Sequence, residues 1–317
     1  MATETVMARP ALAATKPRKG GGYGPVGNTR LLAYGLLLPA FLSVAFLLAY
    51  PLYLVFQLAL NERAGMNFLQ TGVINWGLDN FRVVLSDSRT WAAFGRTAIY
   101  TVGSIVPSFL IGLGIALLLN QVFPGRRWFR SLLLLPWAVP GVIVSIIFLW
   151  LFDTSFGVVN AILRNLGLIS GEIRWYTSPD MAMFSVIVPT VWKGFPFFAL
   201  TLLAALQSIP GSFYEAAKVD GATAIQRFWH VTWPGIRGAA TLVTILQTLW
   251  VLREFDIIYA TTGGGPLAAT ETLGLLVYNE AFDYFRMGTA SAIGVLLLAV
   301  AMLVILISLK PLRKEYF

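Results

Sequence analysis

The amino-acid sequence predicts an all-α integral membrane protein of six transmembrane helices, with a polar helix pair set between the fourth and the fifth. Three observations predict it. Of 317 residues, 57% are hydrophobic and 12% are charged, a balance that no ordinary water-soluble domain of this length has. Apolar runs of about 20 residues or more, enough to cross a hydrocarbon core roughly 30 Å thick, recur six times. Between the last of the proline-rich runs and the next one lies residues 210–234, PGSFYEAAKVDGATAIQRFWHVTWP, a polar stretch with two helix starts in it.

Residues 1–30 carry Arg9, Lys16, Arg18, Lys19 and Arg30 around a glycine run at 20–22, a composition that predicts a disordered basic tail. No apolar core with a small-residue cleavage site precedes Leu31, so no secretory signal is expected. A transmembrane domain is expected over residues 31–309. Span one, residues 31–60, contains Pro39 and Pro51 and is longer than a straight crossing needs, so it is expected to kink or tilt and to end at the interface. Span two, residues 94–122, carries Gly103, Gly112 and Gly114, which permit close approach of a neighbouring helix. Span three, residues 132–152, includes Pro136 and Pro140. Span four, residues 181–206, is interrupted by Pro189, Lys193 and Pro196. Span five, residues 238–259, takes in Arg253, Glu254 and Asp256 near its far end, and span six covers 287–309. Residues 310–317 form a short tail. No fixed-period repeat is visible, so the chain reads as one helical membrane domain.

Charge sets the orientation. The formal net charge is +8, but in so apolar a chain loop lysines and arginines report topology rather than nucleic-acid binding. The N-terminal tail, the Arg126, Arg127, Arg130 loop, residues 210–234 and the Lys310, Arg313, Lys314 end are basic. The alternate loops mix or favour acid: Glu62, Asp79 and Asp87; Asp153, Glu172 and Asp180; Glu271, Glu280 and Asp283. This alternation predicts an even number of spans with both termini in the cytoplasm, and it puts residues 210–234 there too. There is no cysteine and one histidine, His230, so disulfide and thiol chemistry are excluded and a His- or Cys-based metal site has nothing to build with. His230, beside Trp229 and Trp233, is expected to be an interfacial side chain.

Within residues 210–234, Ser212 precedes Glu215 by three residues and Thr223 precedes Gln226 by three, so each pair fits a reciprocal capping box. Gly221 falls where the first helix must stop in the left-handed conformation. Pro234 is expected to close the second helix because it has no N–H to donate. A short capped helix pair of this kind, set between two membrane spans, is expected to be a docking surface for a soluble partner.

The run Glu215-Ala216-Ala217, three residues, Gly221, nine residues, then Val231-Thr232-Trp233-Pro234 resembles the EAA motif of membrane subunits of binding-protein-dependent ABC importers. Gly194-Phe195-Pro196, Ile209-Pro210 and Thr262-Gly263-Gly264-Gly265-Pro266 sit at the spacing of the maltose-type carbohydrate permeases, and the Gly77-Leu78-Asp79-Asn80-Phe81 turn is similar too. The resemblance covers nearly the whole chain and is strongest in its C-terminal half. Val231 and Trp233 stand where the family usually has isoleucine and leucine, and Trp233 is expected to tune the fit to the partner.

The resemblance implies a function and an assembly. The chain is expected to be a permease in a bacterial inner membrane, paired with a second permease subunit, two ABC ATPase subunits and an extracytoplasmic solute-binding protein, with no nucleic acid involved. Glu215, Ala216, Ala217, Asp220, Gly221 and Pro234 match the positions that couple to the ATPase. Lys193, Gly194 and Phe197, with Gln247, Trp250, Val251 and Glu254, match those that contact sugar. No Gly-x-x-x-x-Gly-Lys-Ser/Thr loop occurs, so the chain is expected to be no enzyme, and ATP and magnesium are expected on the partner ATPase.

The residues support that placement and leave other readings open. An ionisable group at membrane depth is costly and faces the bundle interior. Lys193 lies mid-span, and Gln247 and Glu254, seven residues apart, are expected two turns apart on one helical face with Trp250 between them. Aromatic faces with hydrogen-bonding neighbours suit a polyol. Lys193 and Glu254 also read as an intramembrane ion pair, or as the ion relay of a secondary transporter; an ion channel is a third class. Pro189, Pro196 and the glycine turn 263–266 read equally as hinges for a rocking motion or as static kinks.

Overall fold

The structure is a computed structural model and describes residues 29–61 and 75–316. Nearly all of the expected N-terminal tail, the acidic Glu62 and Phe317 lie outside those residues. The chain divides into two compact units, Met1–Pro51 and Leu52–Phe317.

In the first unit, helix α1 (Thr29–Val44) carries Pro39 inside it and passes into a π-helical turn, Ala45–Ala49. Ser43 Oγ donates to the Pro39 carbonyl at 2.8 Å. Leu36, Phe41 and Leu47 are exposed, as side chains facing acyl chains must be. Helix α2 (Tyr50–Ala59) follows, and Tyr34–Ala59 as a run is long and apolar enough to cross a membrane.

In the second unit, Asn80 closes the end of α2. It opens helix α3 (Asp79–Ser86), and its Nδ2 donates to Ala59 O at 3.1 Å and Asn61 O at 2.9 Å, carbonyls a helix end leaves free. Helix α4 (Ser88–Asn120) starts on the Asp87 cap, whose carboxylate accepts from Arg89 N at 3.0 Å. It packs chiefly against α9 (Pro179–Gln207). Glycine explains how closely. A Cβ on Gly112 would stand 2.5 Å from Phe198 Cβ, and one on Gly103 would stand 2.8 Å from Ile187 Cδ1, whereas Gly114 has nothing within 4 Å. Two of the three expected small residues thus serve this contact and the third does not.

Helix α9 is unbroken, although Pro189 and Pro196 were expected to interrupt it. The ring of Pro189 frees the carbonyl four residues back, and Tyr176 Oη donates to that Ser185 carbonyl at 3.4 Å. A neighbouring side chain has replaced the missing N–H.

The third apolar run departs the other way. Helices α5 (Arg126–Leu132) and α6 (Leu134–Ala138) form one arm and α7 (Gly141–Leu151) the other, with an angle of 96° between them. Val139 is extended at ψ 130° because the residue before a proline is pushed out of the helical region, and Pro140 is extended as well. Among the described residues, five helices are long and apolar enough to cross a membrane, and this bent pair makes six. Helix α8 (Val158–Asn165) lies in the connection to α9.

Residues 210–234 form α10 (Gly211–Val219) and α11 (Ala224–Arg227). Thr223 and Gln226 make the reciprocal capping box, and Gly221 is left-handed at φ +76°. Ser212 does not cap. Pro210, extended, takes the N-cap position, so Ser212 is already inside the first turn. Pro234 does not stop the second helix either. A π-helical turn at Phe228–Thr232 passes directly into α12 (Trp233–Leu252), with Trp233 N donating to Phe228 O, so the proline sits in the first turn of a continuing helix. The fifth run is therefore one helix over Ala224–Leu252. It begins earlier than residue 238, and it ends before residue 259: Arg253 caps it, and a separate helix α13 (Asp256–Thr261) follows.

Helix α14 (Leu273–Tyr278), a third π-helical turn (Asn279–Asp283) and α15 (Met287–Tyr316) complete the fold. Helix α15 continues through most of the stretch expected as a tail. The largest core cluster joins α4, α9 and α12 through Ala116, Phe198, Leu202, Ile236 and Val243. A second tie is ionic. Arg89 at the start of α4 grips buried Glu271 with two hydrogen bonds, 2.6 and 2.9 Å, and reaches buried Glu280 at 3.4 Å.

Gly112→Leu is expected to cost about 1–3 kcal/mol, because the α4–α9 approach has no room for a side chain. Gly114→Leu is expected to be neutral. Thermal unfolding of the detergent-solubilised chain checks both; equal melting temperatures for the two variants would contradict the packing described.

Candidate functional site

Where α9, α12 and the α12–α13 break meet, a cavity of about 450 Å³ opens in the second unit. Six of the seven residues expected to contact sugar line it: Lys193, Gly194, Gln247, Trp250, Val251 and Glu254. The seventh, Phe197, stands behind the wall, with its ring 5.1 Å from the Trp250 ring. Gln247 is 5% exposed and its Nε2 donates to the Gly194 carbonyl at 2.9 Å. That bond pins α12 to α9 at the cavity.

Glu254 reaches the cavity by a different route from the one expected. It does not continue the face of Gln247 and Trp250, because α12 has already ended at Leu252. Its Oε1 instead accepts from Ile257 N at 3.3 Å and so supports the first turn of α13. Among the described residues, no ion pair within 4.0 Å joins Lys193 to Glu254. Both groups stand open to the same space.

Trp137, Thr190, Arg253, Phe255, Asp256 and Ile257 also line the cavity and were not expected there. Thr190 is held by Val186 O at 2.9 Å and by the Tyr100 hydroxyl at 2.6 Å. Arg253 and Asp256 had been noticed as charges near the end of an apolar run, and that was the available signal. Trp137 gave none: it is one aromatic within an apolar run, and α6, which carries it, packs against α9. The lining holds two cationic groups, two carboxylates, an amide and two indoles. It can hydrogen-bond hydroxyls from several sides and stack an apolar ring face, while its own charges balance. Among the described residues, no group of three or more His, Asp or Glu side chains is placed to hold a metal ion.

The other candidate region is the α10–α11 pair. Glu215, Ala216 and Asp220 are exposed, Gly221 makes the left-handed turn, and Ala217 is half-buried. Phe213, Val219, Ile225 and Trp229 add exposed apolar side chains. The pair is tied to the π-helical turn behind it, where Tyr214 and Thr232 hydroxyls lie 3.1 Å apart, and is held together within itself by Arg227 Nη1 donating to Ala222 O at 2.8 Å. Trp233 is half-buried, with its ring edge-on to Phe109 and Trp229. It is packed into the bundle, not presented with the exposed residues, so the expectation that it tunes partner fit is not supported. His230 is exposed, its Nδ1 2.9 Å from Gln226 O. Pro234 is exposed at the start of α12.

Residues 108–314 match the family model described as the binding-protein-dependent transport system inner membrane component. The chain belongs to this family. The match takes in both the cavity and the α10–α11 pair. The sulfoquinovosyl glycerol transport system permease protein of Agrobacterium fabrum is 35% identical over 291 residues, covering 90% of this chain and 92% of that one. The trehalose/maltose transport system permease protein of Thermococcus litoralis is 36% identical over 265 residues, covering 84% and 88%. In fold, the chain is similar to a bacterial ABC transporter involved in the import of the acidic polysaccharide alginate, at a TM-score of 0.77 and 24% identity over 91% of this chain and 97% of that one. This family member is thus a multi-pass ABC transporter permease, with its longest helices and its cavity in one unit.

If Phe197 supports Trp250 from behind, the two side chains are energetically coupled. A double-mutant cycle of Phe197→Leu and Trp250→Leu, read by thermal unfolding, is expected to give a coupling of about 0.5–1.5 kcal/mol. Additive effects would mean that the two rings act independently.

Proposed function

We propose that this chain is the permease subunit of an ATP-driven importer that carries a carbohydrate or a related polyol into the cytoplasm. The observation that carries the reading is the continuous helix Ala224–Leu252. One of its ends is the capped, exposed segment that resembles the EAA motif, and the other places Gln247 and Trp250 on the cavity wall. A load applied at α10 and α11 is transmitted along a single hydrogen-bonded rod to the residues that face the cargo.

Two relatives named for sulfoquinovosyl glycerol and for trehalose and maltose support a sugar-type cargo. So does the cavity, where Trp137 and Trp250 offer faces for a ring, and Lys193, Gln247, Glu254 and Asp256 offer partners for hydroxyls. Lys193, Gly194, Gln247, Trp250, Val251 and Glu254 are the proposed contact residues, with Phe197 as their support. Glu215, Ala216, Ala217, Asp220 and Gly221 are the proposed surface for the ATPase, and Pro234 acts by starting α12.

In the proposed assembly a second permease, two ATPase subunits holding ATP and magnesium, and an extracytoplasmic solute-binding protein complete the transporter. The loop charges support cytoplasmic termini in a bacterial inner membrane, with a basic tail at residues 1–30, a transmembrane domain at 31–309 and a short end at 310–317. A secondary transporter with a Lys193–Glu254 relay has less support, since the two groups make no direct contact and the exposed helix pair has no part in it.

The test is co-expression with the neighbouring genes, affinity purification of this chain and reconstitution. An ATPase is expected to co-purify, and uptake is expected to require ATP. Glu215→Lys reverses a charge on the docking face, and Gly221→Pro demands a φ near −65° where the turn has +76°. Each is expected to lower uptake at least tenfold in protein that still inserts. Normal uptake in both, or transport that persists without an ATPase, would overturn the proposal.

A further inference from the structure

A second cavity, of about 500 Å³, opens between α4, α5, α6 and α9. Leu118 and Leu119 of α4, Phe129 and Leu132 of α5 and Phe195 of α9 are in its wall, and Gln121 is the one polar side chain there. Leu118, Phe129 and Leu132 are each more than half exposed, so the described residues leave this cavity open at the side of the bundle. Its two ends can be placed. Gln121, just past the end of α4, also lines a cleft with Tyr214, Lys218 and Arg227, so that end lies beside α10 and α11. Phe195 stands 12 residues before Gln207, the last residue of α9. That is about 18 Å along the helix axis, close to half of a hydrocarbon core roughly 30 Å thick. The cavity therefore runs from the polar edge of the bundle toward the middle of the bilayer, a course that suits an acyl chain.

The polar end carries a cluster of positive charge. Phe129, Leu132, Leu133 and Pro136 line the cavity at helical spacing, and on the same repeat Arg126 falls one turn before Phe129 and Arg130 one turn after Arg126. Arg130 Nη2 donates to the carbonyl of Leu119, a wall residue, at 3.3 Å. No Asp or Glu occurs in the sequence between Asp87 and Asp153. Among the described residues, no carboxylate lies within 4.0 Å of Arg126, Arg127 or Arg130. Trp128, 77% exposed, stands among them, as an indole at a membrane interface does. Loop arginines alone report only topology. Joined to an open apolar cavity on one helical face, they fit a molecule with an apolar chain and an anionic head, and the planar guanidinium fork matches phosphate oxygens.

We propose that this cavity is a binding site for one anionic phospholipid, with an acyl chain between α4, α5 and α9 and its phosphate held by Arg126 and Arg130. The site needs only that the chain crosses a membrane, and it is independent of what the transporter carries. The lipid comes from the leaflet on the side of α10 and α11. A basic pocket between membrane helices selects an anionic head over a zwitterionic one, whose ammonium would be brought to the same arginines. Through Gln121, which lines both spaces, the bound lipid also stands next to the cleft beneath the α10–α11 pair.

The test is native mass spectrometry of the full-length chain in an uncharged detergent, titrated with phosphatidylglycerol or with phosphatidylcholine of the same acyl chains. The first phosphatidylglycerol is expected to bind more tightly than the first phosphatidylcholine, by about fivefold for each arginine engaged. Arg126→Gln, which leaves the Arg130 bond to Leu119 in place, is expected to remove one such share, and Arg126→Gln with Arg130→Gln to remove the preference altogether. Leu118→Trp fills the cavity from an exposed position and is expected to weaken the binding of both lipids with the arginines intact. Equal affinities for the two lipids, a preference that survives the double variant, or binding unaffected by Leu118→Trp would each overturn the proposal. A cryo-electron microscopy map of the unaltered chain in phosphatidylglycerol nanodiscs is expected to show an elongated density in the cavity with its head at Arg126 and Arg130. An empty cavity, or a protein helix lying in it, would contradict the site.

Discussion

Proline at position 234 has no N–H to give to the preceding turn, and its ring crowds the carbonyl four residues back. In a regular α-helix this would end or sharply kink the rod. Here the turn before it is widened: Trp233 N donates to Phe228 O, five residues back, and the π-helical turn Phe228–Thr232 absorbs the crowding. Thr232 is buried and its hydroxyl meets that of Tyr214, so the widened turn is fastened to α10 as well. The link from the exposed α10–α11 pair to the cavity depends on this one accommodation. Without it the exposed helix pair and the cavity-lining helix would be separate pieces joined by a loop.

The cavity end of the same helix is fixed by a different kind of contact. The Gln247 bond to Gly194 O ties α12 to α9, and the α9–α4 approach through Gly112 ties both to the longest helix of the chain. The charged groups beyond that bond, Lys193, Arg253, Glu254 and Asp256, are not collapsed into ion pairs with one another. Charges left apart in a partly enclosed space are costly unless something polar fills it. Water can fill such a space, and a hydroxyl-rich molecule can replace it with little change in the number of hydrogen bonds. Such a site favours release as well as binding, which a transporter needs.

The fold class was legible because apolar runs near 20 residues have few other uses, and the α10–α11 pair was legible because Gly221 and the Thr223–Gln226 box act locally. Where the reading failed, tertiary contacts had decided the outcome. Pro189 leaves α9 whole because Tyr176 replaces the lost donor, Pro234 leaves the fifth helix whole because of the π-helical turn, and Val139–Pro140 does break the third run. Three prolines of similar local context thus have different effects, and periodicity cannot distinguish them. The cavity follows the same division. Lys193, Gly194, Gln247, Trp250 and Val251 lie on regular helices and gather there, and Glu254 reaches the cavity by a break that the helical spacing did not indicate. Trp137 was hidden because its place comes from the packing of α6 on α9, and Asp256, noticed only as a charge, reaches the cavity by the separate start of α13.

On this account Ala224–Leu252 moves as one rod. The chain contains no cysteine, so cysteines introduced at Ile225 and Leu246, both exposed, can carry two spin labels with no background from this chain, once any cysteines of the partner subunits are replaced. In the assembled transporter, pulsed electron paramagnetic resonance should give a single narrow distance of about 30 Å, the length of 21 helical residues. That distance should not change when ATP is added and hydrolysis begins. A shift of several Å, or a distribution that broadens with nucleotide, would mean that the helix bends at the π-helical turn, and that the motion is absorbed there instead of reaching Gln247 and Trp250.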